Sequence, residues 1–392
     1  MLRLLTTPFR NRAAKQRLRL AAEQWQRGEH AGAIASCREA VRLRPERPWF
    51  HDQLGHFLSH HHDYWLNPEL AQRLVDDGSL AAAVAAWRQA LALGWRSHHT
   101  RLGLGHALTT LGDLEGATAQ LRAATDQLVE DTRPELAARF RDEPAQGPDF
   151  LIIGGTKCGT TSLYEYLCEH PRVLPAIWKE IEYFRFPERG LDWYLAQLPR
   201  IARGSGVLTG EASTCYFAMH EVPGRVRTAY PNVRLVALVR DPVAKAISHY
   251  HHDKKLGCEH RSLEEALGRE LDLLEGLAEP WRNADDYWRT ERGYVWLGLY
   301  APFLEHWLTV FPREQLLILP SDDLTSAPGR CVAEVQRFLG LPEHQLAQYP
   351  VHLEGRYERK AHPLQQRLAR FFAPHQRRLE DLLGRSLPWT RP

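Results

Sequence analysis

Asp149-Phe-Leu-Ile-Ile-Gly-Gly-Thr-Lys-Cys-Gly-Thr-Thr-Ser-Leu163 is the stretch that decides the fold. Phe150 to Ile153 is a short apolar run with β-branched residues, bounded by Gly147-Pro148 and Gly154-Gly155. Such a run reads as a buried strand. Beyond the glycines, Leu163, Tyr166 and Leu167 recur at helical spacing until Pro171. Strand, Gly-rich turn and helix together aim backbone N–H groups and a helix N-terminus at one spot, an arrangement suited to a phosphate. The turn has the frame of a Walker loop, Gly154 to Gly159, but Thr160 stands where the nucleotide-phosphate lysine belongs. The lysine lies inside the loop instead, at Lys157, and reaches a different oxygen of any ligand. Thr160, Thr161 and Ser162 bring hydroxyls to the helix start. The plain alternative is an ordinary helix start with a solvated lysine.

A second segment bears on that choice. Val233-Arg-Leu-Val-Ala-Leu-Val-Arg-Asp-Pro-Val-Ala-Lys-Ala-Ile-Ser248 is an apolar run ending at Arg240, followed by Asp241 as N-cap and Pro242 at the first helical position. Ser248 falls about two turns into the helix, roughly 9 Å along it. Arg240 can pair its fork with phosphate oxygens while Ser248 donates a further hydrogen bond. A buried structural arginine is the alternative.

The two segments together resemble the 5′-phosphosulfate and 3′-phosphate signatures of sulfotransferases that use 3′-phosphoadenosine 5′-phosphosulfate (PAPS). The resemblance implies an α/β fold, a P-loop-like parallel sheet flanked by helices, over residues 149–392. It implies PAPS as co-substrate, 3′-phosphoadenosine 5′-phosphate as product, and no metal. Lys157, Cys158, Gly159, Thr160, Thr161, Ser162, Arg240 and Ser248 become the cofactor-binding candidates. Trp178-Lys-Glu-Ile-Glu-Tyr-Phe184 is similar to the Lys-Glu-x-His-Phe-Phe motif of heparan-sulfate-type and related bacterial enzymes. That likeness implies Glu180 as the base toward the acceptor, beside Lys179, with Glu182 replacing the histidine. Gly210-Glu-Ala-Ser-Thr-Cys-Tyr216 is similar to an acceptor-side segment, which makes Glu211 and Tyr216 acceptor-side candidates, Glu211 positioning either Lys157 or an acceptor hydroxyl; its proline is missing here. Gly355-Arg-Tyr-Glu-Arg-Lys-Ala-His-Pro363 resembles a loop that closes over the nucleotide, with Arg356 and Lys360 as phosphate candidates.

Charge logic fits the same reading. Sulfuryl transfer builds negative charge on the bridging oxygen of the leaving phosphate; Lys157 is placed to neutralise it, while Glu180 takes the acceptor proton. The expected acceptor is a hydroxyl or amine of a carbohydrate, with a protein tyrosine or small molecule as the competing class. A P-loop kinase would need the Walker lysine. A non-catalytic nucleotide-binding scaffold would keep binding without turnover.

The chain has 392 residues, 50 basic against 48 acidic, so a broad nucleic-acid surface is not implied and anion recognition is local. Residues 1–18 are basic without the apolar core of a signal peptide. No apolar run is long enough to span a membrane. Six cysteines, Cys37, Cys158, Cys168, Cys215, Cys258 and Cys331, lack paired spacing, as in a reduced compartment, and the expected location is cytoplasmic.

Residues 19–140 carry a repeat. Gly28, Gly78 and Gly112 each precede a helix, with alanine five residues on (Ala33, Ala83, Ala117) and twelve on (Ala40, Ala90, Ala124). Gly78 and Gly112 stand 34 residues apart, and the first interval is longer by an insertion around His60-His-His-Asp-Tyr-Trp65. The pattern resembles a short tetratricopeptide array. It serves either as a partner groove or as a helical cap on the enzyme. His249, His252, Cys258 and His260 imitate a zinc set, but a helix end followed by an acceptor-facing loop is the preferred reading.

Overall fold

The computed structural model describes residues 2–60, 65, 67–281, 292–351 and 363–390, with side chains from residue 9 onward. Two compact units emerge: Met1–Arg141 with Leu195–Gln197, and Asp142–Tyr194 with Leu198–Pro392.

The first unit is all helix: α1 (Leu2–Gln26), α2 (His30–Leu43), α3 (Pro48–Leu58), α4 (Pro68–Asp76), α5 (Ser79–Ala92), α6 (His98–Thr110), α7 (Leu114–Thr132) and α8 (Pro134–Phe140). Local chemistry sets several starts. Asn67, Ser97 and Asp113 accept N-cap hydrogen bonds from Leu70, Thr100 and Gly116 amides, and proline opens α3, α4 and α8. The helices pack as pairs, α1 on α2, α3 on α5 and α6 on α7. In each pair the second helix carries the repeated alanines, and Ala33, Ala40, Ala83, Ala90, Ala117 and Ala124 are all fully buried. A methyl side chain there lets two helix backbones approach closely, so the sequence period is a packing period. α4 occupies the longer first interval.

The second unit is built on a five-stranded parallel sheet. Its strands are β1 (Phe150–Gly154), β2 (Val173–Pro175), β3 (Leu208–Glu211), β4 (Arg234–Val239) and β5 (Leu316–Pro320), in the order β2-β3-β1-β4-β5. All five residues of β1 and the last five of β4 are buried, as a parallel sheet covered on both faces requires. The helices are α9 (Thr160–Cys168), α10 (Leu191–Leu195), α11 (Val222–Ala229), α12 (Pro242–Lys255), α13 (Leu263–Glu275), α14 (Tyr300–Val310), α15 (Ser321–Ser326), α16 (Pro328–Leu339) and α17 (Pro363–Leu383). In α14 the expected stripe Tyr300, Phe303, Leu304 and Trp307 is buried. Gly340, in the left-handed region at φ +75°, ends α16.

Strand order places the site. From β1 the chain runs to the β2 edge, returns through β3, then crosses to β4 and β5 on the other side of β1. The connections therefore diverge beside β1, and in such sheets ligands bind outside the carboxyl ends of the strands at that point. The Gly-rich loop leaves the end of β1, and Arg240 follows the end of its neighbour β4.

Candidate active site

The loop between β1 and α9 is shaped by its own backbone. Gly154 sits at φ +151°, and a Cβ there would lie 2.6 Å from Phe217 Cβ, so only glycine fits. The Gly155 amide donates to the Leu238 carbonyl of β4 at 2.6 Å, and the Cys158 amide donates to the Gly155 carbonyl at 3.1 Å. Gly159, at φ +94°, is the N-cap of α9 and supplies no side-chain cap. An α-helix cannot satisfy its own first-turn amides, and in α9 Thr160 and Thr161 carry them without a side-chain cap. Thr160 and Ser162 are buried and Thr161 half-buried.

Lys157 takes the left-handed conformation at φ +64°, uncommon for a residue with a side chain. Arg240 Nη1 donates to its carbonyl oxygen at 3.2 Å, tying the end of β4 to the loop. Burial lowers the Lys157 ammonium from its ordinary pKa, and the carboxylates of Glu180 and Asp253 work against that shift. Lys157, Arg240 and Glu180 therefore share one electrostatic neighbourhood. Cys158 is buried, its Sγ 3.5 Å from the Tyr300 hydroxyl, and burial pushes the thiol up. A packed position of this kind is that of a filler.

Asp241 accepts from the Val243 amide at 3.1 Å and Pro242 opens α12. Ser248, two turns along α12, is 8% exposed. Arg356 and Lys360 lie outside the described residues.

On the β3 side, Lys179 and Glu180 make an ion pair, Nζ to Oε1 at 2.5 Å. Lys179 Nζ also donates to the Ala212 carbonyl at 3.2 Å, and Thr214 donates to Glu180 Oε2 at 3.5 Å. The carboxylate is held by neighbours yet keeps a quarter of its side chain exposed (27%). Glu182, at φ +56°, pairs with Arg185 at 3.1 Å; burial raises its pKa and Arg185 opposes the shift.

Glu211 and Tyr216 require a correction. Both are fully buried. Glu211 Oε1 accepts from the Tyr194 hydroxyl at 3.1 Å and the Tyr216 hydroxyl at 3.0 Å, and Oε2 accepts from Ser213. Burial drives Glu211 up to about 7 against those hydrogen bonds. An expectation that these two side chains meet an acceptor does not fit. They brace the loop that carries Glu180: Tyr216 accepts from the Phe184 amide at 3.2 Å, and Ser213 accepts from the Glu182 amide at 2.9 Å. The physical reason is that β3 ends at Glu211, inside the sheet, where a carboxylate serves as a hub for buried donors.

Sequence reasoning missed the inward face of α12. Lys245, His249 and Asp253 follow one another at i, i+4 and i+8. Lys245 is fully buried, donating to the Gly293 and Tyr294 carbonyls at 3.2 Å each, with His249 Nδ1 at 3.4 Å. Asp253 accepts from the Tyr294 hydroxyl at 3.2 Å and lies 3.8 Å from His249 Nε2. His252 is half-buried; desolvation first, then the Lys157 ammonium, lower it to about 4, with Glu180 opposing. Its ring therefore stands neutral near the loop lysine and Glu180. The usable signal was the four-residue step from Ser248 to His252. Among the described residues, no three histidine, cysteine or acidic side chains are grouped to hold a metal.

Residues 147–366, more than half the chain, match the sulfotransferase-domain family. The chain belongs to that family. It is 32% identical to human heparan sulfate glucosamine 3-O-sulfotransferase 6 over 272 residues, covering 62% of this chain and 73% of that protein. It is 31% identical to human bifunctional heparan sulfate N-deacetylase/N-sulfotransferase 3 over 204 residues, half of this chain but 23% of the relative's length. A solved sulfotransferase from Alicyclobacillus acidocaldarius superposes at a TM-score of 0.50 with 28% identity, covering 62% of this chain and 99% of that one. This sulfotransferase is an enzyme, and the second unit houses its family domain.

Proposed function

We propose that this sulfotransferase moves the sulfuryl group of PAPS to a hydroxyl or amine of a carbohydrate. The observation that carries the reading is the convergence at the carboxyl ends of β1 and β4: a loop ammonium, a guanidinium bonded to that loop, and a braced carboxylate in the field of the ammonium. The donor set fits a nucleotide with an anionic group at each end, with the α9 first turn and its hydroxyls at one end and Arg240 with Ser248 at the other. PAPS supplies the activated sulfuryl group. Lys157 neutralises charge developing on the leaving phosphate. The α9 amides hold the 5′-phosphate, and Arg240 and Ser248 hold the 3′-phosphate. Glu180, oriented by Lys179 and Thr214, takes the acceptor proton.

Support for a carbohydrate acceptor comes from the heparan sulfate relatives and from the resemblance of Lys179-Glu180 to the Lys-Glu motif of heparan-sulfate-type enzymes. The repeated, fully buried alanines of α2, α5 and α7 support a tetratricopeptide-like array for the first unit. The test is incubation with PAPS labelled in its sulfur, alongside fractionated glycans, peptides and small phenols. Label in the glycan fraction without added metal is the expected result. Label confined to peptide tyrosine, or magnesium-dependent ATP hydrolysis with no label transfer, would replace this reading.

A further inference from the structure

The parallel sheet has a second set of strand ends. Beside the amino ends of β1, β3 and β4 the second unit leaves an open cavity of about 660 Å³. The five residues of β1, at about 3.3 Å each, separate it from the Gly-rich loop, so it is no part of the phosphate site. Pro148, Ile201 and Val207 contribute apolar wall, and four polar side chains are set among such residues: Asp149, Arg203, Tyr230 and Asn232. Roughly 300–1,000 Å³ of largely apolar wall with a few placed polar groups is the usual form of a small-molecule site.

Each of the four polar groups is anchored or placed with bonding capacity left over. Asp149 is fixed in the ladder: its amide donates to the Thr209 carbonyl at 2.8 Å and its carbonyl accepts from the Arg234 amide at 3.0 Å. Its Oδ2 accepts from the Thr209 amide at 2.9 Å, while Oδ1 has no partner among the described residues. The surrounding walls push this carboxyl above its ordinary pKa, and Arg203 opposes the shift. Arg203 donates its Nε hydrogen to Gln146, which leaves its two Nη groups unused among the described residues. Tyr230 follows the end of α11, and its ring is pressed on Gly147, where a Cβ would come within 2.1 Å of it. Neither the Tyr230 hydroxyl nor the Asn232 amide makes a side-chain hydrogen bond among the described residues.

The chemistry of the four groups selects their ligand. A carboxylate only accepts, a guanidinium only donates, and a phenol or a primary amide does both. Asp149 opposes an anion and Arg203 opposes a cation, so a net charge on the ligand is resisted from one side or the other. Hydroxyls donate to one and accept from the other, and they enter without the dehydration of a charge. We propose that this cavity binds an uncharged sugar unit, its hydroxyls shared among Asp149, Arg203, Tyr230 and Asn232. The site is separate from the acceptor position beside Glu180, and the inference does not depend on which acceptor that position takes.

Saturation-transfer NMR titrations of the full chain with glucose, N-acetylglucosamine, glucuronate, glucosamine and glycine test it. Both neutral sugars are expected to bind, and the two charged sugars and glycine at least several-fold more weakly. Tyr230→Phe removes a hydroxyl that no described protein group uses, so its melting temperature should match the parent while sugar affinity falls about tenfold. Arg203→Ala and Asn232→Ala change exposed side chains and should each weaken binding several-fold. Glu180→Gln should leave it unchanged. Three results would overturn the proposal: no binding of either neutral sugar, binding of glycine or a charged sugar as tight as theirs, or sugar binding that survives Tyr230→Phe. Sugar binding lost in Glu180→Gln but kept in Tyr230→Phe would place the sugar at the acceptor position instead.

Discussion

Arg240 donates its Nη1 hydrogen to the carbonyl oxygen of Lys157 at 3.2 Å. One arginine thereby joins the end of β4 to the loop after β1 and holds the left-handed turn at Lys157. Lys157→Ala is expected to lower kcat by hundreds-fold, about 2.7–4 kcal/mol of transition-state stabilisation. Arg240→Ala should raise the apparent constant for PAPS and also lower kcat, because the loop loses its tie. Steady-state kinetics separates them: an Arg240→Ala enzyme with only its PAPS constant altered would show that the carbonyl contact does not position the lysine.

Glu180 touches Lys179 at 2.5 Å and Thr214 at 3.5 Å. Glu180→Gln keeps the shape and removes the base proposed for the acceptor proton, so turnover should fall by about 10²–10⁴. Binding of the product nucleotide, measured by calorimetry, should stay within a few-fold of the parent. Lys179→Met should produce a smaller loss, since it frees the carboxylate from its partner without removing it. Near-parental turnover in Glu180→Gln would reassign the base, with His252 next in line by placement.

β1, β4 and β5 were legible because they are written as apolar runs, β1 closed by glycine and β4 by Arg-Asp-Pro, whereas the three-residue β2 is too short to show a pattern. That Arg240, Lys157 and the α9 hydroxyls fall at the carboxyl ends of β1 and β4 could be read because each lies within a few residues of a strand end. Glu211 was misread for the same reason that it is conspicuous. A carboxylate at a strand end looks like a site residue, and only the packing of Tyr194 and Tyr216 from distant segments shows it to be a buried hub. Lys245 escaped notice because its acceptors, Gly293 and Tyr294, are almost fifty residues away in sequence. Helical spacing says which residues share a face, not which loop that face will meet.

Glu211 gives a pH prediction with a definite sign. Burial raises its folded-state pKa from 4.5 to about 7, so the folded protein holds a proton that the unfolded chain has released. Stability from this group is full below pH 4.5 and is lost as pH rises toward 7. Glu211→Gln removes that titration. The difference in melting temperature, parent minus variant, should fall between pH 5 and pH 8. A flat difference would mean that the hydrogen bonds from Ser213, Tyr194 and Tyr216 keep the carboxylate ionised.

Lys245 gives the opposite sign. Its ammonium is fully buried between the Gly293 and Tyr294 carbonyls, and burial lowers its pKa from 10.5 to about 8. Glu270, which accepts from the Val295 and Trp296 amides at 2.8 Å, and Asp253 both resist that shift, while Lys157 adds to it. Between pH 8 and pH 10 the unfolded chain holds a proton on this amine that the folded protein has lost, so stability from this group rises with pH. Lys245→Met removes the titration and leaves both carbonyls without their donor, a desolvation cost of about 1–3 kcal/mol each, set against relief of a buried charge. Those terms oppose each other at pH 7, so the parent-minus-variant difference in melting temperature there is expected to be small. It should grow as pH rises from 8 to 10, when the parent's amine sheds its charge and still donates to both carbonyls. A difference that stays level over that range would show that the ammonium stays charged in the folded state, with Glu270 and Asp253 outweighing burial.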